Sequence, residues 1–127
     1  MSTDIENFGD SQHLIMMIKS PPKNGLTAFS SFRDFFANLD DGIKPIIIFI
    51  FNGVLNILKN TLNNEDVQQK NDFFDESILD MASFFVFKES LERRNLSGKK
   101  LLPGIRKLDM KNFVKIIRDF GEDIVFF

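Results

Sequence analysis

An acidic stretch that contains a serine is the part of the sequence whose residues could do chemistry. Asp75, Glu76 and Ser77 follow two phenylalanines, and a mostly apolar stretch continues to Leu91. The acidic start and the basic end of residues 76–94 suit the two poles of a helix dipole, so we predict one helix over this range. A serine at such a helix start either caps free N–H groups or accepts a phosphate, which adds about −1.5 to −2 charges.

The other reactive side chains do not form a catalytic or metal-binding pattern. Asp75, Glu76 and Asp80 lie close together, but charge at a helix start explains them, and the sequence offers no further convergent ligands. His13 is the single histidine, and the chain contains no cysteine. The sequence therefore predicts a protein that is not an enzyme and that holds neither a metal nor a cofactor.

Composition and charge exclude several classes of protein. The 127 residues are 43% hydrophobic and 27% charged, with a net charge of −2. A nucleic-acid-binding protein usually carries a basic stripe, so we expect no nucleic-acid partner. The longest apolar run, residues 45–51, is far shorter than the roughly 20 residues of a membrane helix, so we expect no membrane insertion. The absence of cysteine fits a reducing compartment, and we predict a cytoplasmic location.

Phenylalanine is unusually abundant. The chain has 16 Phe and neither Tyr nor Trp. Because Phe fills cores without a polar group, we interpret most of it as packing. The Phe beyond what a core needs indicates a surface that is buried against a partner, and an oligomer is one possible form of it.

Apolar patterns predict strands and helices in alternation. Residues 1–12 are predicted to be a flexible tail and residues 13–127 a single domain. The predicted elements are a strand over residues 13–19, a helix over 26–39, a strand over 43–51, a short helix or connector over 54–62, the helix over 76–94, a strand over 99–105, a helix over 110–120 and a strand or tail over 123–127. This alternation predicts an α/β fold, with a mixed or mostly parallel sheet and helices packed on it.

Residues 43–51 decide between this fold and an alternative. The run is rich in isoleucine and stops at Asn52-Gly53, which is typical of a central strand buried on both faces. Pro45 could instead begin a helix that continues to Leu62, and the chain would then be a mainly α-helical bundle. We predict the strand because the Asn-Gly pair interrupts the run.

Helical spacing predicts which side chains face the core. Phe29, Phe32 and Phe36 share one face of the first predicted helix. Asp109 is predicted to cap the last helix, whose inward residues are predicted to be Met110, Phe113, Val114, Ile117 and Phe120.

In this order of elements the sequence resembles a STAS domain, the small α/β module of anti-sigma-factor antagonists and of sulfate-transporter tails. The resemblance lies in residues 42–48, in residues 74–79 and in residues 98–105. The second stretch is similar to the family's Asp-x-Ser-Gly-Leu turn, whose serine is phosphorylated in many members. The chain departs from the family at Ile78, where glycine is usual, and by the insertion of residues 53–72.

The resemblance implies a function as well as a fold. It implies a non-enzymatic regulatory protein-binding module of the anti-sigma-factor-antagonist type, whose partner is an anti-sigma factor or a kinase. Ser77 would be the phosphorylation site, and the partner surface would comprise Asp75, Glu76, Ser77, Ile78 and Met81. The alternative is a Phe-rich helical structural or interaction subunit of a protein assembly.

Overall fold

The chain forms a parallel sheet with helices on both faces. The computed structural model describes residues 12–23, 28–40, 42–58, 76–121 and 124–127. Within these ranges five strands pair in parallel, in the order β4-β3-β2-β1-β5. The predicted α/β fold is confirmed, and the alternative helical bundle is wrong because residues 43–49 form the middle strand. Of the predicted tail only the last residue, Gln12, is described, and it begins β1.

The element boundaries follow most of the predicted pattern. The strands are β1 (Gln12–Ile18), β2 (Ile43–Phe49), β3 (Ser83–Phe87), β4 (Arg106–Leu108) and β5 (Ile124–Phe126). The helices are α1 (Phe29–Ala37), a 3-10 helix (Phe51–Asn56), α2 (Glu76–Met81), α3 (Lys88–Arg93) and α4 (Met110–Phe120).

Strand β2 lies at the centre because its side chains are apolar on both faces. All residues from 45 to 50 are buried. Ile47 and Phe49 pack under α1, whereas Ile46 and Ile48 pack under α4. The neighbouring strands β1 and β3 pair with the β2 backbone on either side.

The core on the α1 side is built from phenylalanine. Phe29, Phe32 and Phe36 are buried, as their spacing predicted. The ring of Phe29 lies 5.7 Å from that of Phe49, and the ring of Phe32 lies 6.1 Å from that of Phe84. These are ordinary distances for aromatic packing, so the abundant Phe on this side serves the core.

The single helix predicted over residues 76–94 is wrong. The helix α2 ends early, strand β3 follows, and α3 begins directly after the strand. Phe84 and Val86 fill the core on one face of the sheet, and Phe85 and Phe87 fill the core on the other. A run that is apolar at every position suits a strand between two neighbours better than a helix with one buried face.

The strand predicted over residues 99–105 is also wrong. Gly104 has a φ of +83°, which belongs to a turn, and β4 begins after it at Arg106. Within the predicted range, Leu101 forms a single antiparallel bridge to Leu58 and is not part of a strand.

Helix α4 has the predicted bounds and cap, but its inward face is only partly as predicted. The Asp109 carboxylate accepts a hydrogen bond from the Asn112 N–H at 2.9 Å, which confirms the cap. Ile116 is fully buried, whereas Met110 and Val114 are half exposed, so the inward orientation predicted for Met110 and Val114 is wrong. The inward stripe follows the i, i+3, i+4, i+7 rule, and its members are Phe113, Ile116, Ile117 and Phe120.

Candidate functional site

Several described polar side chains lie where β1, β2 and β3 end, and their hydrogen bonds link different elements of the fold. We define the carboxyl edge as residues 19–23, 50–56 and 88–94, which follow these strands. In open parallel α/β sheets, ligands bind at the carboxyl ends of the strands. The carboxyl edge is therefore the candidate binding site.

The turn after β2 requires a glycine. The Gly53 N–H donates to the Ile50 carbonyl at 2.8 Å, and the Ile50 N–H donates to the Ile18 carbonyl at 2.9 Å. A Cβ placed on Gly53 would lie 1.8 Å from the Ile18 carbonyl oxygen. The atoms that the Cβ would meet are backbone atoms of Ile18 and Lys19, which cannot rotate away as a side chain could. Glycine therefore allows the 3-10 helix to lie directly against the end of β1.

Asn56 ties three segments together. Its side-chain amide donates to the carbonyls of Ser20 and Gly53, and its side-chain oxygen accepts from the Ala28 N–H, each at 2.9 Å. The side chain is buried, and a buried amide that meets backbone groups on three sides is well satisfied. Asn56 thus holds the loop after β1, the 3-10 helix and the start of α1 in one arrangement.

Phe51 stands out at this edge by both its backbone and its exposure. Its φ is +49°, a region that bulky residues rarely occupy, and its side chain is 57% exposed. The Phe51 N–H donates to the hydroxyl oxygen of buried Ser90 at 2.9 Å, which holds the strained residue in place. An exposed aromatic ring kept in a costly conformation points to a functional constraint.

Cationic side chains flank Phe51. The Arg94 guanidinium donates to the Asn52 side-chain oxygen at 3.1 Å and to the Ser90 carbonyl at 3.2 Å. Lys19 directly follows β1, and Lys88 directly follows β3, and both are exposed. Because β1 and β3 lie on either side of β2, these cations stand on both sides of the Phe51 position.

The residues predicted to bind a partner lie elsewhere, on and before α2. Asp75 is outside the described residues, and so are the side chains of Glu76 and Ser77, whose backbone belongs to α2. The prediction that Ile78 contacts a partner is wrong, because its side chain is fully buried in the core. Met81, in contrast, is 40% exposed. The residues that follow α2 add no partner surface beside Met81, because residues 84–87 are buried in strand β3.

The described ranges bear on three further features: metal ligands, His13 and membrane helices. No group of three acidic, histidine or cysteine residues there could hold a metal ion. His13 is half buried, and its ring and the Phe120 ring form a T-shaped pair with centroids 4.8 Å apart. No helix of the described part has the length and hydropathy needed to cross a membrane.

Sequence reasoning missed Phe51, Asn56 and Ser90 as site residues. Asn56 offered a signal, because a polar amide interrupts the apolar run from Val54 to Leu58. Ser90 offered none, since it looked like one more residue in a long helix.

The fold defines the class of protein: a small α/β domain with an open parallel sheet. No protein-family model and no curated protein matches the sequence. The chain is similar to the structure of the ychN protein from E. coli, with a TM-score of 0.66, 16% sequence identity, and coverage of 91% of this chain and 99% of that chain.

A second solved structure is similar over much the same length. It is MTH1491 from Methanobacterium thermoautotrophicum, described as a protein of unknown function, with a TM-score of 0.57, 16% sequence identity, and coverage of 93% of this chain and 98% of that chain. At these identities the similarity shows the fold alone. The resemblance to STAS domains stays a prediction.

Proposed function

We propose that the chain is a protein-binding module and not an enzyme, and that its carboxyl edge binds the partner with Phe51 as the central anchor. The observation that supports this most is Phe51 itself, exposed and strained at the end of the middle strand. Aromatic and arginine side chains carry much of the energy in protein interfaces. Phe51 and Arg94 provide both residue types within one hydrogen-bonded unit.

The hydrogen bonds at this edge favour binding over catalysis. The Asn56 and Ser90 side chains are buried and bonded to backbone groups, so they support the loops. A rigid surface loses little conformational entropy when a partner binds, which favours affinity. The edge therefore has the properties of a preformed contact surface.

The charges at the edge suggest the chemistry of the partner. The carboxyl edge carries both signs of charge, but its cations (Lys19, Lys23, Lys88, Arg93 and Arg94) outnumber its anions (Glu89 and Glu92) in a chain whose net charge is −2. Glu89 is paired with Arg93, which leaves Lys19, Lys88 and Arg94 as the cations nearest the strand ends. Complementary potentials steer association, so we propose a partner surface that combines acidic and apolar residues. The association rate should then fall as ionic strength rises.

A narrower form of the proposal concerns regulation. The resemblance at residues 74–79 supports an anti-sigma factor or a kinase as the partner and Ser77 as a phosphorylation site. Exposed Met81 lies on the same short helix and offers an apolar contact there. The lack of cysteine supports the cytoplasm as the place of action.

Site-specific crosslinking tests the anchor. A photoreactive phenylalanine analogue replaces Phe51 in one variant and Val114 in another, because the two side chains are 57% and 51% exposed but lie on different elements. We expect a partner protein to be linked through position 51 and not through position 114. That partner is then purified for a direct affinity measurement.

The affinity measurement uses Phe51→Asn, because asparagine tolerates the left-handed backbone conformation of this position. We expect Kd to rise about 30-fold, which corresponds to a hot-spot residue worth about 2 kcal/mol. Equal affinity for the parent and the variant, or identical crosslinking from both positions, would contradict the proposal.

A further inference from the structure

The two outer strands of the described sheet differ in chemistry. β4 carries Arg106 and Lys107, and charged side chains on an outer strand discourage pairing with another chain. β5 and the residue after it are apolar throughout, with the sequence Ile-Val-Phe-Phe. Of the two outer strands, only β5 has no charged residue within its own length, and the acidic residues Glu122 and Asp123 precede it in the sequence.

The hydrogen bonds to β1 show which backbone groups of β5 point outward. The Phe127 N–H donates to the Met17 carbonyl at 2.8 Å, and the Phe127 carbonyl accepts from the Lys19 N–H at 2.8 Å. Successive residues of a strand point their N–H and C=O groups to opposite sides. The N–H and C=O groups of Ile124 and Phe126 therefore point away from β1, where no described strand lies.

The side chains at this edge are apolar on both faces of the sheet. Phe126 is 57% exposed, Phe127 is 45% exposed and Val125 is 36% exposed. Val125 is in register with Met16, and Phe126 is in register with Met17, so they lie on opposite faces. A strand added beside β5 would cover apolar side chains on both faces as well as satisfy backbone groups.

We propose that β5 pairs antiparallel with β5 of a second copy of this chain, around a twofold axis. An antiparallel pair of identical strands is self-complementary, so each outward donor meets an acceptor of the same strand in the partner. The uncharged β5 edge allows this pairing, whereas two β4 edges would bring Lys107 near its own copy. The inference is independent of the function proposed for the carboxyl edge.

The arrangement has a consequence for that edge. In the antiparallel pair all strands of the second copy run in the opposite direction, so the two carboxyl edges point away from each other. Both Phe51 side chains would stay accessible in the dimer. Because β5 is short, we expect less than the roughly 1,200 Å² buried in stable complexes, and hence a concentration-dependent dimer in the micromolar range.

Sedimentation equilibrium of the whole chain tests the pairing. Phe126→Pro removes an outward N–H and leaves the Phe127 bonds to β1 in place, and proline is tolerated at such edge positions. Phe126→Val is the matched control, since valine is similar in size to proline but keeps the backbone N–H. We expect the dimer of the proline variant to be at least tenfold weaker than that of the valine variant, and Lys107→Ser to leave the dimer unchanged.

Disulfide trapping tests the geometry without disturbing the strand backbone. The chain has no cysteine, so one introduced cysteine can link only to its copy. Directly opposed residues of antiparallel strands are about 4.5–5.5 Å apart at Cα, which is disulfide distance. We expect efficient linking through Val125→Cys or Phe126→Cys and none through Lys107→Cys on the other edge.

Three results would overturn the proposal. The first is a monomer at every concentration up to hundreds of micromolar. The second is equal dimerisation of the proline and valine variants. The third is linking through Lys107→Cys and not through the β5 positions.

Discussion

The Phe51 N–H and the Ser90 hydroxyl oxygen are joined by a hydrogen bond of 2.9 Å across 39 residues of sequence. Ser90 is buried in α3, and Phe51 begins the 3-10 helix after β2. The bond fixes an exposed ring in a left-handed backbone conformation, so the carboxyl edge depends on a contact between two separate parts of the chain.

Ser90→Ala should lower stability. The substitution leaves the partly buried Phe51 N–H without its acceptor, and such an unsatisfied donor costs about 1–3 kcal/mol. Urea denaturation measures the free energy of unfolding. Ser97→Ala is the control, since exposed Ser97 uses its backbone carbonyl to accept from Lys107, and it should stay within about 0.5 kcal/mol of the parent.

Phe51→Asn should keep or raise the free energy of unfolding, by up to about 1 kcal/mol, because it relieves left-handed strain and removes a mostly exposed ring. The reciprocal change is Asn95→Phe, at a position whose φ is +56°, and it should be destabilising. Thermal melts of the two variants are the measurement. A loss of 2 kcal/mol or more in Phe51→Asn would mean that the Phe51 ring stabilises the fold, and the strained backbone would then be explained without a binding role.

Gly53→Ala should be severely destabilising. The added Cβ would lie 1.8 Å from the Ile18 carbonyl oxygen, and the backbone between β1 and the 3-10 helix would have to separate. We expect a loss of more than about 3 kcal/mol in denaturant unfolding. At Gly98, where no atom lies within 4 Å of an added Cβ, the same substitution should be neutral or slightly stabilising.

Ile116→Ala and Val114→Ala compare the two sides of α4. Ile116 is fully buried, and its truncation should cost about 2–5 kcal/mol. Val114 is half exposed, and its truncation should cost less than about 1 kcal/mol. Equal losses of stability at the two sites would show that the helix is rotated relative to the face described above.

Ser77→Asp tests the predicted regulatory switch. Negative charge near a helix start stabilises the helix by about 0.3–1 kcal/mol, so the free energy of unfolding should rise slightly. Affinity for the partner identified by crosslinking should fall, whereas Ser77→Ala should bind as the parent does. If Ser77→Asp binds as tightly as the parent, the switch is absent, and Ser77 is only a polar residue in the first turn of α2.

Local patterns in the sequence were sufficient to predict the elements that are defined by an apolar run, by one apolar helix face or by a capping residue. The isoleucine run of β2, the Phe spacing of α1 and the Asp109 cap of α4 each predicted an element that the structure contains. These signals are short-range, because hydrophobic periodicity and capping act within a few residues. The alternation of such elements was enough to predict the α/β fold.

Tertiary structure decided what local pattern could not. Residues 83–87 are apolar at nearly every position, so periodicity alone does not separate a helix from a buried strand. They form strand β3 because they pair with β2 on one side and β4 on the other. The carboxyl edge depends on partners far apart in sequence: Asn56 bonds to Ala28 and Ser20, and Ser90 to Phe51. Hydrogen bonds across 28 to 39 residues have no local signature, because the backbone groups that they satisfy meet only after the sheet has formed.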